Sequence, residues 1–144
     1  REQEVIINDT VGFIRALPPD LLSAFRATLE EISDSSLLIH AVDVSNPRWV
    51  QQVQSVKRIL AELKLADIPT ILALNKSDLL DPDEVDAAVR EARQIDNSEI
   101  VVISAIKLAS LTALLEKAGG MLARNLGAES AADDNESAAL SRIA

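Results

Sequence analysis

The chain has 144 residues, of which 48% are hydrophobic and 26% charged, with one histidine and no cysteine. This length and composition predict one packed globular domain without disulfides or a thiolate metal site, so any metal must be held by oxygen ligands. The net charge of −9 argues against this segment gripping nucleic acid by itself, because phosphate contact depends on clustered Lys and Arg.

The start of the chain indicates a fragment or a trimmed chain. It opens with Arg1 rather than Met, and the first apolar run arrives within five residues. No run approaches the ~20 apolar residues that a membrane helix needs. We therefore expect a cytoplasmic, monomeric protein without membrane insertion or direct DNA binding. Partial association with a membrane is left open.

Four short apolar runs are continuous rather than alternating, which is typical of parallel strands buried on both faces. They lie at residues 5–7, 37–42, 71–74 and 100–103. Amphipathic segments with helical spacing follow each run. Their apolar positions are Leu22, Phe25, Leu29 and Ile32; Val53, Val56, Leu60 and Leu63; Val85, Val89 and Ala92; and Leu111, Leu114, Leu115, Ala118 and Leu122.

The alternation of strand and helix predicts an α/β fold, with a mostly parallel sheet and helices on both faces. Asn46-Pro47 and Asp81-Pro82 each place a capping side chain before a proline, which predicts two helix starts. From about Ala128 the composition shifts to small, polar and acidic residues. We expect a domain at residues 1–126 and an acidic tail at residues 127–144, either poorly ordered or a weakly docked helix.

Polar residues follow each apolar run, at the edge where open α/β sheets bind ligands. Asp9, Thr10, Val11 and Gly12 fit the D-x-x-G pattern, in which the carboxylate holds Mg²⁺ through water and the glycine N–H reaches a terminal phosphate. The pattern is short, and an ordinary turn at a strand end would produce it too. Asp43, after the second run, either faces the ligand edge or shapes the turn that follows.

The sequence Asn75-Lys76-Ser77-Asp78 is more specific, because it is the N-K-x-D pattern directly after a buried strand. A carboxylate at Asp78 can accept hydrogen bonds from both N1 and N2 of guanine, which adenine does not offer. Lys76 can lay its methylene stem along the base, and Asn75 can tie this loop to a neighbouring phosphate loop. The alternative interpretation is a solvated turn.

Ser104-Ala105-Ile106 follows the last run and fits the S-A-x pattern, in which the N–H of Ala105 would bond guanine O6. A three-residue pattern is weak evidence for a site when it is taken alone. The three motifs nevertheless occur in the order that guanine-nucleotide domains use, each after a different parallel strand. Joint coincidence is therefore improbable.

The run DTVGFIRALPPDLLSAFRATLEE at residues 9–31 resembles the second switch of the HflX family of GTPases. The resemblance continues through LIHAVDVSNP and LALNKSD and covers about residues 5–126. It implies a P-loop NTPase-like three-layer sandwich, GTP binding and hydrolysis with magnesium at Asp9, and association with the large ribosomal subunit to split or rescue ribosomes. After Ser104-Ala105 this chain has IKLASL where the family has a glycine-containing turn, so Ile106 is the least secure site residue.

The phosphate-binding G-x-x-x-x-G-K-[ST] motif does not occur in the sequence. The four glycines are Gly12, Gly119, Gly120 and Gly127, and no lysine follows any of them. The resemblance places the missing strand between residues 5–7 and 37–42, which leaves the sheet incomplete at its N-terminal side. We expect a C-terminal G-domain fragment that is inactive alone, or alternatively a non-catalytic remnant that serves as an interaction module.

Two aromatic side chains in or near the motifs have competing interpretations. Phe13 stands where many GTPases carry a glutamine that orients the attacking water, so the resemblance makes Gly12 and Phe13 the catalytic candidates, with water positioned by other groups. Phe13 and Ile14 also suit plain packing of the switch. His40 lies inside an apolar run, and we expect a hydrogen-bonded core histidine rather than a catalytic one.

Overall fold

The computed structural model describes residues 4–7 and 32–143, with the backbone alone for residues 129–143. It divides into two compact units, Arg1–Asp34 and Ser35–Ala144. In the first unit, residues 4–7 have no regular secondary structure, and Ile32 and Ser33 are helical, with Ile32 only 7% exposed. The remainder of the helix predicted around Leu22, Phe25 and Leu29 lies outside the described residues.

The strand predicted at residues 5–7 is wrong. These residues lack strand conformation, and Val5, Ile6 and Ile7 are exposed by 52%, 82% and 74%. An apolar run reports a preference for burial, but it does not report whether a neighbouring strand is available to share ladder hydrogen bonds. Without such a partner, the same residues do not form a strand.

The second unit contains a parallel sheet in the order β1-β2-β3. The strands are β1 (Leu38–Asp43), β2 (Thr70–Asn75) and β3 (Glu99–Val102), each displaced by only one residue from the start of its predicted run. Helices follow them as α1 (Trp49–Glu62), α2 (Pro82–Ile95) and α3 (Leu108–Ile143). The predicted incomplete α/β fold with parallel strands is confirmed for this unit.

One face of the sheet carries the main hydrophobic core. Side chains alternate between faces along a strand, so Val42, Leu72 and Leu74 point to the same side. They form one buried cluster with side chains of α1 and α2, which are Trp49, Val53, Ala88 and Ala92. Leu72 has no exposed surface, and complete burial of a leucine contributes about 1.5–3 kcal/mol. This core fixes α1 and α2 against the sheet.

The opposite face is covered unevenly. Ile71 and Ala73 of β2 are fully buried there, and α3 contacts β3 and buries Ala118. On β1, however, Ile39 is 45% exposed and Ala41 is also exposed. In the second unit as described, β1 is therefore an edge strand with one apolar face open.

The two predicted helix starts have different outcomes. Asp81 is the N-cap of α2, Pro82 is its first residue, and Glu84 completes a capping box, as expected. Asn46 does not cap α1, because its side-chain Oδ1 accepts the N–H of Arg48 in a turn and the helix begins at Trp49. A local side-chain turn thus delays the helix.

The last helix extends through the acidic end of the sequence to Ile143. Its backbone is helical across the region predicted as a separate tail, so the boundary at residue 127 stays a prediction. In the described ranges, no helix combines the length and apolarity that a membrane span requires.

Candidate nucleotide site

The carboxyl ends of the three strands bring the second and third sequence motifs together. Asp43 ends β1 and is the register partner of Asn75, which ends β2. Ile103, just past β3, donates its N–H to the carbonyl oxygen of Leu74 at 2.9 Å. Parallel pairing therefore places the N-K-S-D loop between the ends of β1 and β3, as the sequence predicts.

The backbone of the N-K-S-D loop turns sharply at Lys76, which adopts a left-handed conformation with φ 63°. For a residue with a Cβ this conformation costs roughly 1–2 kcal/mol. The side chain of Asn75 offsets the cost, because its Oδ1 accepts the N–H of Lys76 at 2.8 Å. The N–H of Ser77 donates to the carbonyl oxygen of Ile103 at 3.2 Å. A 3-10 turn, Ser77–Leu79, then carries Asp78 to the surface.

Asn75 joins the two loops. Its Oδ1 also accepts the N–H of Ala105 at 3.0 Å, so one side-chain oxygen holds residues on both sides of the site. The sequence assigned Asn75 to a phosphate loop and the Ala105 N–H to guanine O6. In this structure the Ala105 N–H already has an acceptor within the protein, and both assignments stay predictions for a nucleotide-bound state.

Asp78 is the second link between the loops. Its Oδ1 accepts a hydrogen bond from the Ser104 hydroxyl at 2.7 Å. Asp78 is exposed whereas Ser104 is only 2% exposed, so a buried hydroxyl holds a surface carboxylate in place. The Asp78 Oδ2 accepts no hydrogen bond from the described part of the chain. This carboxylate therefore has capacity for two further donors.

The loop that contains Ser104 is itself supported by Ser110. The Ser104 N–H donates to Ser110 Oγ at 3.0 Å, and the Ser110 Oγ lies 2.8 Å from the carbonyl oxygen of Ser104. Ile106 is 81% exposed and Leu108 79% exposed at the same loop. The backbone of the loop is thus held from within, while its apolar side chains face outward.

Asp43 also belongs to this cluster. Its Oδ2 lies 2.8 Å from the Lys76 ammonium. Its Oδ1 accepts the Ser45 N–H at 3.0 Å and the Ser45 hydroxyl at 2.6 Å. The hydrogen bond from Lys76, followed by that from Ser45, lowers the pKa of Asp43. Asp43 therefore faces the ligand edge and also shapes the turn, which were the two roles considered for it.

The remaining sequence predictions lie elsewhere. The structure does not describe Asp9, Thr10, Val11, Gly12 or Phe13. The assignments of magnesium binding and of the switch to these residues therefore stay predictions. Among the residues that the structure describes, no group of three or more His, Cys, Asp or Glu side chains could hold a metal ion.

His40 faces a cavity at the amino ends of the strands, away from the motifs. Lys57 and Asp96 line the same cavity. Among the described residues His40 has no hydrogen-bond partner, so the expected hydrogen bond of a core histidine stays a prediction. Burial lowers the pKa of His40, and the nearby Asp96 charge raises it by less.

Comparison with known proteins matches this arrangement to GTP-binding proteins. The chain is 43% identical over 81 residues to the GTPase HflX of Escherichia coli (strain K12), which is 56% of this chain and 19% of that protein. It is 37% identical over 110 residues to the GTPase HflX of Gluconacetobacter diazotrophicus, which is 76% of this chain and 23% of that protein. No family model matches the chain.

Solved structures agree with the sequence relatives. The crystal structure of an SsGBP and GDP complex aligns with a TM-score of 0.66 and 30% identity, over 80% of this chain and 37% of that one. The G235S variant of SsGBP aligns with a TM-score of 0.65 and 28% identity.

The fold and the joined loops define part of a P-loop-like α/β domain of the GTP-binding class. Over half to three quarters of its own length, the chain is similar to part of the HflX GTPases. It spans about a fifth of the length of the curated relatives it matches.

Proposed function

We propose that this chain is the C-terminal part of a G domain and supplies guanine recognition to a full-length protein that binds and hydrolyses GTP. The observation that carries the proposal is the pair of hydrogen bonds that joins the two base-side loops, from Ser104 to Asp78 and from Ala105 to Asn75. Two motifs whose bonded residues lie 26 and 30 positions apart in the sequence are thereby held as one surface. The GDP complex of a structural neighbour supports the same use of the fold.

Recognition of the base would depend on the free capacity of the Asp78 carboxylate. Guanine presents two N–H donors on one edge, at N1 and N2, and a carboxylate accepts both. A base without those donors leaves the charge unpaired, which is the source of the discrimination. Ser77, Ser104, Ala105 and Ile106 would complete the base-side wall together with Asn75 and Lys76.

The remaining parts of the proposed site lie on residues 9–13. Asp9 would hold magnesium through water, and the ion would neutralise charge on the phosphates. Thr10 and Val11 would line the phosphate side, and the Gly12 N–H would reach the γ-phosphate. Phe13 has no hydrogen-bonding group, so water would be positioned by backbone or by a partner. The phosphate-binding loop would lie upstream of Arg1.

On the family resemblance we also propose association with the large ribosomal subunit, in the cytoplasm, with a role in splitting or rescuing ribosomes. Because acidic segments repel RNA phosphates and the net charge is −9, the RNA-binding surface would lie on other parts of the full-length protein. Cosedimentation of the full-length protein with isolated subunits, with GDP or a non-hydrolysable GTP analogue, tests this association. No nucleotide-dependent cosedimentation would remove the ribosomal assignment.

A second candidate function applies if the full-length protein, like this sequence, lacks a G-x-x-x-x-G-K-[ST] motif. In that alternative the protein is a non-catalytic remnant that retains an interaction surface with a GTPase-like fold. A phosphate-loop motif upstream of Arg1 in the source gene would exclude it.

The base assignment is tested by Asp78→Asn in the full-length protein. We expect weaker GTP binding and stronger xanthosine triphosphate binding, because xanthine has an oxygen where guanine has its amino group and the amide supplies the matching donor. The substituted Oδ1 still accepts the Ser104 hydroxyl, so the loops remain joined. Competition titrations with both nucleotides measure the exchange of preference.

A matched control is Asp86→Asn, which removes the same charge from an exposed position on α2. It should leave both affinities unchanged. If Asp78→Asn retained the wild-type preference for GTP, Asp78 would not contact the base.

A further inference from the structure

We propose that Asp43 is a positioning residue for the base site, which anchors the Lys76 ammonium so that the lysine stem is in place before nucleotide arrives. This inference rests on the proposed function, and it assigns a role to a residue outside the three sequence motifs. Asp43 belongs to β1, whereas Lys76 follows β2, so their ion pair at 2.8 Å connects two strand ends.

The anchor itself is held on its other side. Ser45 donates both its N–H and its hydroxyl to Asp43 Oδ1, at 3.0 Å and 2.6 Å. Only Oδ2 is left for Lys76, and the direction of that oxygen is fixed by the turn. The two carboxylate oxygens thus have separate tasks, one in the turn and one toward the lysine.

The lysine needs such an anchor because its side chain is 53% exposed. A free lysine stem samples many rotamers, and ordering it when the ligand binds weakens affinity. The left-handed backbone at Lys76 sets where the side chain starts, and Asp43 sets where it ends. With both ends fixed, the methylene groups form a preorganised apolar strip beside the N-K-S-D loop.

The test is a double-mutant cycle of Asp43→Asn and Lys76→Met in the full-length protein, measured as GDP affinity. We expect Asp43→Asn to raise the Kd for GDP about three- to tenfold, which is the range for losing the preorganisation of one long side chain. Asn keeps an Oδ1 acceptor for Ser45, so the turn is preserved. On the Lys76→Met background, the same substitution should have no further effect.

The matched control is Glu99→Gln, which breaks an ion pair with Lys117 that has the same 2.8 Å separation but lies at the start of β3. GDP affinity should be unchanged. The measurements are made in about 0.5 M salt, so that long-range repulsion between carboxylates and phosphates is screened.

The outcomes separate this inference from the proposed function. Wild-type affinity in Asp43→Asn, together with the expected change of preference in Asp78→Asn, would overturn the anchor while the base site stands. An equal effect of Asp43→Asn on both lysine and methionine backgrounds would also overturn it, because Asp43 would then act without Lys76. If the wild-type protein bound no GDP, the proposed function would fail first.

Discussion

His40 is the single histidine of the sequence, so its titration is separable from that of every other side chain. Burial lowers its pKa below the ordinary value of 6.5, and the Asp96 charge compensates only in part. The unfolded chain therefore binds more protons than the folded chain just below pH 6.5. The stability associated with neutral His40 is present above that pH and is lost as the pH falls toward the folded-state pKa.

We expect the free energy of unfolding to decrease as the pH is lowered from 7.5 to 5. A His40→Gln variant should lose that part of the slope. Urea unfolding at several pH values measures both. The carboxylates that titrate at lower pH, Asp43 and Asp96, contribute a separate decrease in acid, because the pKa of each is lowered in the fold. An unchanged slope in His40→Gln would mean that His40 is protonated equally in both states.

The positions of several site residues followed from the sequence because they depend on local chemistry. The spacing of Asn75 and Asp78 after a strand predicts their place at the ligand edge. The Asp43–Lys76 ion pair and the Asn75–Ala105 hydrogen bond were not predictable, because both depend on the register between strands. Register is set by the packing of whole elements, which a short motif does not encode.

Among the elements, α2 bears most directly on the site, because it starts at Pro82, four residues after Asp78. Its start is fixed by a capping box, in which the Asp81 N–H donates to the Glu84 carboxylate at 2.8 Å. The acidic groups also face the positive end of the helix dipole. The cap therefore fixes the position at which the chain leaves the N-K-S-D loop and enters α2.

We expect Asp81→Ala to lower the free energy of unfolding by about 1 kcal/mol, the usual cost of losing a helix N-cap. Glu91→Ala, at an exposed position within the same helix, is the control and should change stability much less. Denaturant unfolding followed by circular dichroism compares the two variants. Equal free energies of unfolding for the two variants would show that the Asp81 cap does not stabilise the fold.

The strands and helices of the second unit were predictable because continuous apolar runs and helical spacing report burial. Two predictions of secondary structure were wrong, and in both cases the conformation did not depend on burial alone. Residues 5–7 are apolar yet exposed, since strand formation needs a partner. The start of α1 moved from Pro47 to Trp49, because Asn46 uses its side chain in a turn rather than as a cap.

At the scale of the whole molecule, we expect the 144-residue chain to bind GTP with no useful affinity. Its base-side loops are joined, but the sequence contains no phosphate-binding loop. Several charge-assisted hydrogen bonds, each contributing about 1.5–3 kcal/mol, would be missing. Calorimetric titration with GTP and magnesium tests this, with the full-length protein measured beside it. Micromolar binding by the short chain would contradict the fragment interpretation.

The same titration should be accompanied by sedimentation and a melting curve. The exposed apolar face at Ile39 and Ala41 on an edge strand favours low stability and self-association of the short chain. A monomer with a cooperative melt would show that other parts of the chain protect this edge.

The cross-links between the base-side loops have a consequence for the kinetics of nucleotide exchange. The Ser104 hydroxyl donates to Asp78 and the Ala105 N–H donates to Asn75, so the two loops are joined by groups of the protein itself. The entropy of ordering these loops is therefore lost on folding and not in the encounter complex. On the proposed function, a base would dock onto loops that are already ordered, and the slow step of nucleotide exchange would pass to the phosphate side.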